Sequence, residues 1–126
     1  MKEIIKKDFF NWLNKLNERE KIDITITALN FGLYETEKGY CIYLIGSNNY
    51  DESDDDWATE ISYEPKEYKG LNIAIDKNKY DWLSFQNLAV KIIESYINSD
   101  NYKNSIFSKI EIMTAGFDNG DLIRVK

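Results

Sequence analysis

Apolar residues recur every three to four positions near the start of the chain. Ile5, Phe9, Trp12, Leu13 and Leu16 share one face, and Lys6, Lys7, Asn11, Asn14 and Glu18 lie largely on the other. That period predicts an amphipathic helix over residues 3–19. A second stripe, Phe85, Leu88, Ala89, Ile92, Ile93, Tyr96 and Ile97, predicts a helix over about residues 82–98. Asp81 is placed to cap it, and Tyr80 with Phe85 has the spacing of a hydrophobic staple. Asn98-Ser99-Asp100-Asn101 ends it.

Between the two stripes the period drops to two. Ile22, Ile24, Ile26 and Ala28 alternate with polar residues, and the apolar phase then moves to Leu29, Phe31 and Leu33. A one-residue phase change exchanges the faces of a strand, so a bulge or break is predicted near Ala28–Asn30. Residues 35–39 read as a turn. YCIYLIGS, 40–47, is almost continuously apolar and predicts a central strand buried on both faces. WATEISY, 57–63, alternates again, with Trp57, Thr59, Ile61 and Tyr63 on one side, and Pro65 should stop it. LNIAI, 71–75, predicts a short strand. SIFSKIEIMTAGF and DLIRVK read as a hairpin about Asp118-Asn119-Gly120, because Asn and Gly tolerate positive φ. The order is α-β-β-β-β-α-β-β with no repeated βαβ unit. It predicts one α+β domain over residues 1–126, a mostly antiparallel sheet of about five to six strands packed with two helices.

Charge changes the picture more than composition does. The net charge is −6, and residues 50–64 hold seven of the 22 acidic residues and none of the 16 basic ones. The rest of the chain is close to neutral. This argues against nucleic acid as a partner, since phosphate binding needs clustered Lys and Arg, and against an anionic membrane surface. No apolar run approaches the roughly 18 residues of a membrane span. The first residues lack the apolar core of a signal peptide, and the single cysteine, Cys41, has no partner for a disulfide. A cytoplasmic location is the expectation.

The chain has no histidine, so the commonest general base and metal ligand is missing, and with it Ser-His and Cys-His pairs. Cys41 sits inside an apolar run and reads as a small buried hydrophobe. The acidic run YDESDDDW, 50–57, fails as an EF-hand. Counted from Asp51, position 6 is Asp56 rather than Gly, and position 12 is Ser62 rather than Glu. Asp56 followed by Glu64-Pro65-Lys66 has the shape of a magnesium-nuclease site, but Glu67-Tyr68-Lys69 fits equally well, and seven acids would repel a polyanion. No cofactor or metal is therefore predicted.

The same run suits a basic protein partner. Clustered carboxylates steer association, and Tyr and Trp lead the side chains that anchor interfaces. The candidate contact residues are Tyr50, Asp51, Glu52, Asp54, Asp55, Asp56, Trp57 and Glu60. The plainer reading makes Trp57 the first core residue of a strand and the acids a solvated loop. Gly116-Phe117-Asp118-Asn119-Gly120-Asp121 would add two acids to this surface if the hairpin lies beside the loop.

Trp57-Ala58-Thr59-Glu60-Ile61, Tyr63-Glu64-Pro65 and the segment 116–121 carry a resemblance. The chain resembles small bacterial immunity proteins encoded beside polymorphic or contact-dependent growth-inhibition toxins, and the likeness in element order spans most of it. The resemblance implies a non-enzymatic protein that binds one cognate toxin C-terminal domain, often a nuclease with a basic surface. It supplies no catalytic residues. Two other classes stay open at this point: a carboxylate-based, metal-dependent hydrolase, and a non-catalytic subunit of a larger assembly.

Overall fold

The computed structural model describes residues 2–126. Its elements are α1 (Lys2–Arg19), β1 (Ala28–Thr36), β2 (Gly39–Ser47), a 3-10 helix (Asp55–Thr59), β3 (Gly70–Ala74), α2 (Trp82–Ile97), the short α3 (Asp100–Lys103), β4 (Ile112–Phe117) and β5 (Ile123–Arg124). The architecture is α+β, with one mixed sheet in the order β3-β2-β1-β4-β5.

Both helical stripes bury as their periodicity dictates. Ile5, Phe9, Trp12, Leu13 and Leu16 of α1 and Phe85, Leu88, Ala89, Ile92, Ile93 and Tyr96 of α2 join one core. That core also takes Leu29, Phe31 and Leu33 from β1, Tyr40, Ile42 and Leu44 from β2, and Met113, Ala115 and Phe117 from β4. Alternation along each strand makes these one face of the sheet. Aromatic contacts bind the layers: Phe9 lies 5.7 Å from Phe31, and Tyr40 stacks on Phe85 at 4.2 Å. Asp81 caps α2, accepting from the Ser84 amide at 2.9 Å.

The opposite face carries Ala28, Asn30 and Gly32 of β1, Cys41, Tyr43 and Ile45 of β2, and Thr114 and Gly116 of β4. It too is largely buried. The Thr114 hydroxyl donates to the Asn30 side-chain carbonyl at 2.9 Å, so two buried polar groups satisfy each other across the sheet. Tyr43 lies over Gly32, where any Cβ would fall within its ring. β2 is an interior strand covered on both sides, as its continuous apolar run predicts.

Four expectations need correction. The alternation of residues 22–26 is not a strand. The Asp23 carboxylate captures the Thr25 amide and the Ile26 amide reaches the Asp23 carbonyl, forming a turn that leaves Ile24 96% exposed. The expected break is thus the point where β1 begins. The strand predicted over 57–63 is absent: residues 55–59 are 3-10, and Tyr63 makes only an isolated bridge to Gly46. Residues 105–110 are turns rather than strand, because the Ser105 and Ser108 hydroxyls bond the backbone locally. Finally, β4 runs parallel to β1, with Ala28 opposite Ile112 and Leu33 opposite Phe117. The α2 and α3 crossover delivers the chain to the free side of β1 rather than back to β3. The C-terminal hairpin does form, but among the described residues no glycine has positive φ and only Tyr68, at 54°, does otherwise.

Two outcomes follow for stability. The Tyr96 hydroxyl is buried without a hydrogen-bond partner. The nearby Ser105 hydroxyl already donates to the Tyr102 carbonyl and accepts from the Phe107 amide. Tyr96→Phe removes an unsatisfied group and should leave urea stability unchanged or raise it by about 1 kcal/mol, whereas Phe9→Ala should cost about 3–5 kcal/mol. A loss above 1 kcal/mol in Tyr96→Phe would show that the hydroxyl has a partner. The amides it accepts from hold the Asp81 carboxyl below its ordinary value of 3.8. Its contribution is complete above that value and disappears as pH falls through the lower folded value. Asp81→Asn keeps the cap, so its stability should fall less than wild type between pH 4 and the acid limit.

Candidate functional site

The acidic run folds as a closed loop on the second face of the sheet. Its base is pinned where the Gly46 amide donates to the Tyr63 carbonyl at 2.8 Å and the Tyr63 amide returns to Gly46 at 3.0 Å. Glu20, just past α1, holds the same base: it accepts from the Tyr63 hydroxyl at 3.0 Å and the Lys66 amide at 3.3 Å. Inside the loop the carboxylates organise the backbone. Asp51 accepts from the Ser53 amide at 2.9 Å and its hydroxyl at 2.8 Å, which holds the Asp51 carboxyl below its usual range. Asp54 accepts from the Asp56 amide at 2.9 Å and caps the 3-10 helix. Asp55 accepts from the Leu122 amide at 3.0 Å and ties the loop to the C-terminal hairpin. The Glu60 carboxylate accepts from the Asn49 side chain.

Trp57 is the loop's anchor. It is 3% exposed, with Tyr50 at 5.1 Å and 72° to its ring. Of the eight candidate contact residues it is the one that the closed loop buries. The core alternative holds for its burial but not for its element, a 3-10 turn rather than a strand. Tyr50 is half-buried, and the Arg124 guanidinium stands 5.9 Å from its ring. Asp51, Glu52, Asp54, Asp55, Asp56 and Glu60 are all exposed.

Among the described residues, none of those six carboxylates has a basic partner. Among the described residues the ion pairs are Arg19–Glu67, Lys69–Glu64, Lys77–Glu35 and Lys103–Asp100, all outside the loop. The two Glu-x-Lys patterns are spent on such pairs, Glu64 with Lys69 and Glu67 with Arg19. No three Asp, Glu or Cys side chains among the described residues stand close enough to hold a metal ion.

The hairpin does lie beside the loop. A cleft of about 420 Å³ runs between them, walled by Asp55, Asp56 and Ile61 on one side and by Asp118, Gly120 and Leu122 on the other. Asn30 and Tyr43 reach it from the sheet. The Tyr43 hydroxyl donates to Asp118. Burial, and then that bond, push the Tyr43 phenol well above its ordinary value, so it stays protonated and keeps donating. Spacing along the chain gave no sign of the Asp55–Leu122 and Tyr43–Asp118 bonds, whose partners are far apart in sequence.

No protein-family profile, curated protein or solved structure matches the chain. Among the described residues, no helix is long and apolar enough to cross a membrane.

Trp57→Ala should loosen the loop. The expected outcome is a stability loss of about 3 kcal/mol, with faster amide exchange over residues 48–61 and little change in β1. Glu52→Gln, at an exposed side chain with no partner, should change neither. Equal exchange in wild type and Trp57→Ala would show that the indole does not hold the loop.

Proposed function

We propose that the chain is an immunity-type inhibitor that binds a cognate bacterial toxin domain, and does so through its acidic loop. The observation that carries this reading is the state of the six carboxylates: exposed, carried on a loop that its own hydrogen bonds tie down, and, among the described residues, without a basic partner. Self-repulsion among them is a standing cost, and a complementary cationic surface relieves it. The basic substrate surface of a nuclease fits that description. Inhibition would follow from occlusion, with no chemistry needed from the inhibitor. The sequence resemblance supports the same reading.

Order in the loop matters as much as charge. Asp51 and Asp54 lock their own turns, and Trp57 and the Gly46–Tyr63 bridge hold the whole segment down. A partner therefore meets a preformed surface and loses little by ordering it. Asp118 extends the acidic surface across the cleft, and Tyr50 supplies an aromatic edge.

The direct test expresses in bacteria the C-terminal domain encoded by the gene immediately upstream, with and without this protein. Relief of toxicity and recovery of a stable complex are expected. Changing the five acids of residues 51–56 to Asn or Gln keeps their hydrogen bonds and removes their charge. Association should then slow about tenfold or more at low salt, and the two proteins should converge at high salt. An unchanged association rate would remove the loop from the interface, and a harmless neighbour with no complex would sink the toxin reading.

A further inference from the structure

A second cavity, of about 690 Å³, opens where β1 and β4 end side by side. Because these strands are parallel, both carboxyl ends reach it, and the first residues of α2 close its far wall. The floor is aromatic: Tyr40 meets Phe117 edge-on at 5.8 Å. The flanks are Tyr34 and Trp82, which are 43% and 59% exposed. Trp82 is steadied by Phe117, 6.1 Å away at 89°. Exposed aromatic rings on the wall of a concave site are surface that a bound group would cover.

The rim is acidic. Among the described residues, Glu35, Asp81 and Asp118 line the cavity, against Lys77 as its only cation. Lys77 is already engaged, donating to the Thr36 carbonyl at 2.7 Å and pairing with Glu35 at 3.4 Å. That leaves Asp81, which also caps the amide end of α2, and Asp118 with no ion pair among the described residues. Each is fixed in place by a bond it accepts from the protein, and each keeps further acceptor capacity. Phe117, Asp118 and Gly120 line both this cavity and the cleft beside the acidic loop, so the two sites share one rim.

We propose that this cavity receives an arginine side chain of a basic protein partner, the guanidinium lying against Trp82 and Tyr34 with Asp81 and Asp118 as its counter-ions. Aromatic faces and carboxylates together select a cation. Among cations, the planar guanidinium both stacks on a ring and offers several donors to carboxylates, which an ammonium does not. A partner seated on the loop passes over the shared rim, so one chain can fill both sites. That the occupant is a protein rests on the inhibitor reading above; the cavity and its charge do not.

The test titrates the protein with acetyl-Gly-Arg-Gly-amide and follows its indole N–H resonances by NMR. The chain has three tryptophans. Trp57 is buried, and the Trp12 indole donates to the Tyr68 carbonyl at 2.6 Å, so both serve as internal controls. The Trp82 resonance should move and saturate, the other two should hold still, and the matching citrulline peptide should have no effect. Asp81→Asn with Asp118→Asn, which preserves both hydrogen bonds, should weaken binding about threefold or more. A still Trp82 resonance, or an equal response to citrulline, overturns the site. Equal binding of the lysine peptide overturns the choice of guanidinium, and tighter binding of free methylguanidine than of the peptide overturns the protein occupant. A chain that neutralises the toxin with no Trp82 response loses this site and keeps the loop; a Trp82 response with no toxin complex does the reverse.

Discussion

The parallel pairing of β4 with β1 is the constraint on which the rest of the molecule depends. It places the Asp118 turn beside the acidic loop and brings two strand ends to the first turn of α2. It also buries β1 between two neighbours and two covered faces. Asn30 and Thr114 then have to satisfy each other, and the pairing that opposes them is the one observed. A register shift would strand both polar groups in the sheet and turn the apolar side of β4 away from the helices.

The acidic loop resolves a conflict between charge and order. Neighbouring carboxylates repel, which favours an open, mobile segment. Here the first turns are closed by the carboxylates themselves, which take backbone amides as donors. The buried Trp57 adds apolar burial that an all-acidic loop could not supply. The outcome is a charged surface with a hydrophobic root. The charge faces water because its own backbone amides, rather than basic side chains, hold it in place.

Local patterns in the sequence determined the parts that local patterns can reach. The stripes of α1 and α2, the Asp81 cap, the covered strand β2 and the C-terminal hairpin are set by periods and dipeptides within a few residues. Two of the misreadings come from local side-chain capture of the backbone. Residues 22–26 alternate as a strand does, but the Asp23 carboxylate takes the Thr25 amide, and Asp54 caps a 3-10 turn that runs through Trp57 to Thr59 where the second strand was expected. The parallel pairing and both cavities join residues far apart in the chain, such as Tyr34 with Trp82 and Asp118, and no spacing rule links them. The acids of the loop were visible as a block of charge. What was hidden was that Trp57 points inward and that the hairpin forms the opposite wall.

Glu20 gives the arrangement a further property. It clamps the loop base from the end of α1, through the Tyr63 hydroxyl and the Lys66 amide, and is not itself one of the six loop acids. Trp57 and Glu20 thus share the work of holding the loop with Asp51, Asp54 and Asp55, whereas the Glu52 and Asp56 carboxylates take no part in it. Glu52 and Asp56 can change identity at little cost to folding, while Asp51 and Asp54 are confined to side chains that still accept an amide. Such a division lets the outermost charges be exchanged without disturbing the scaffold beneath them.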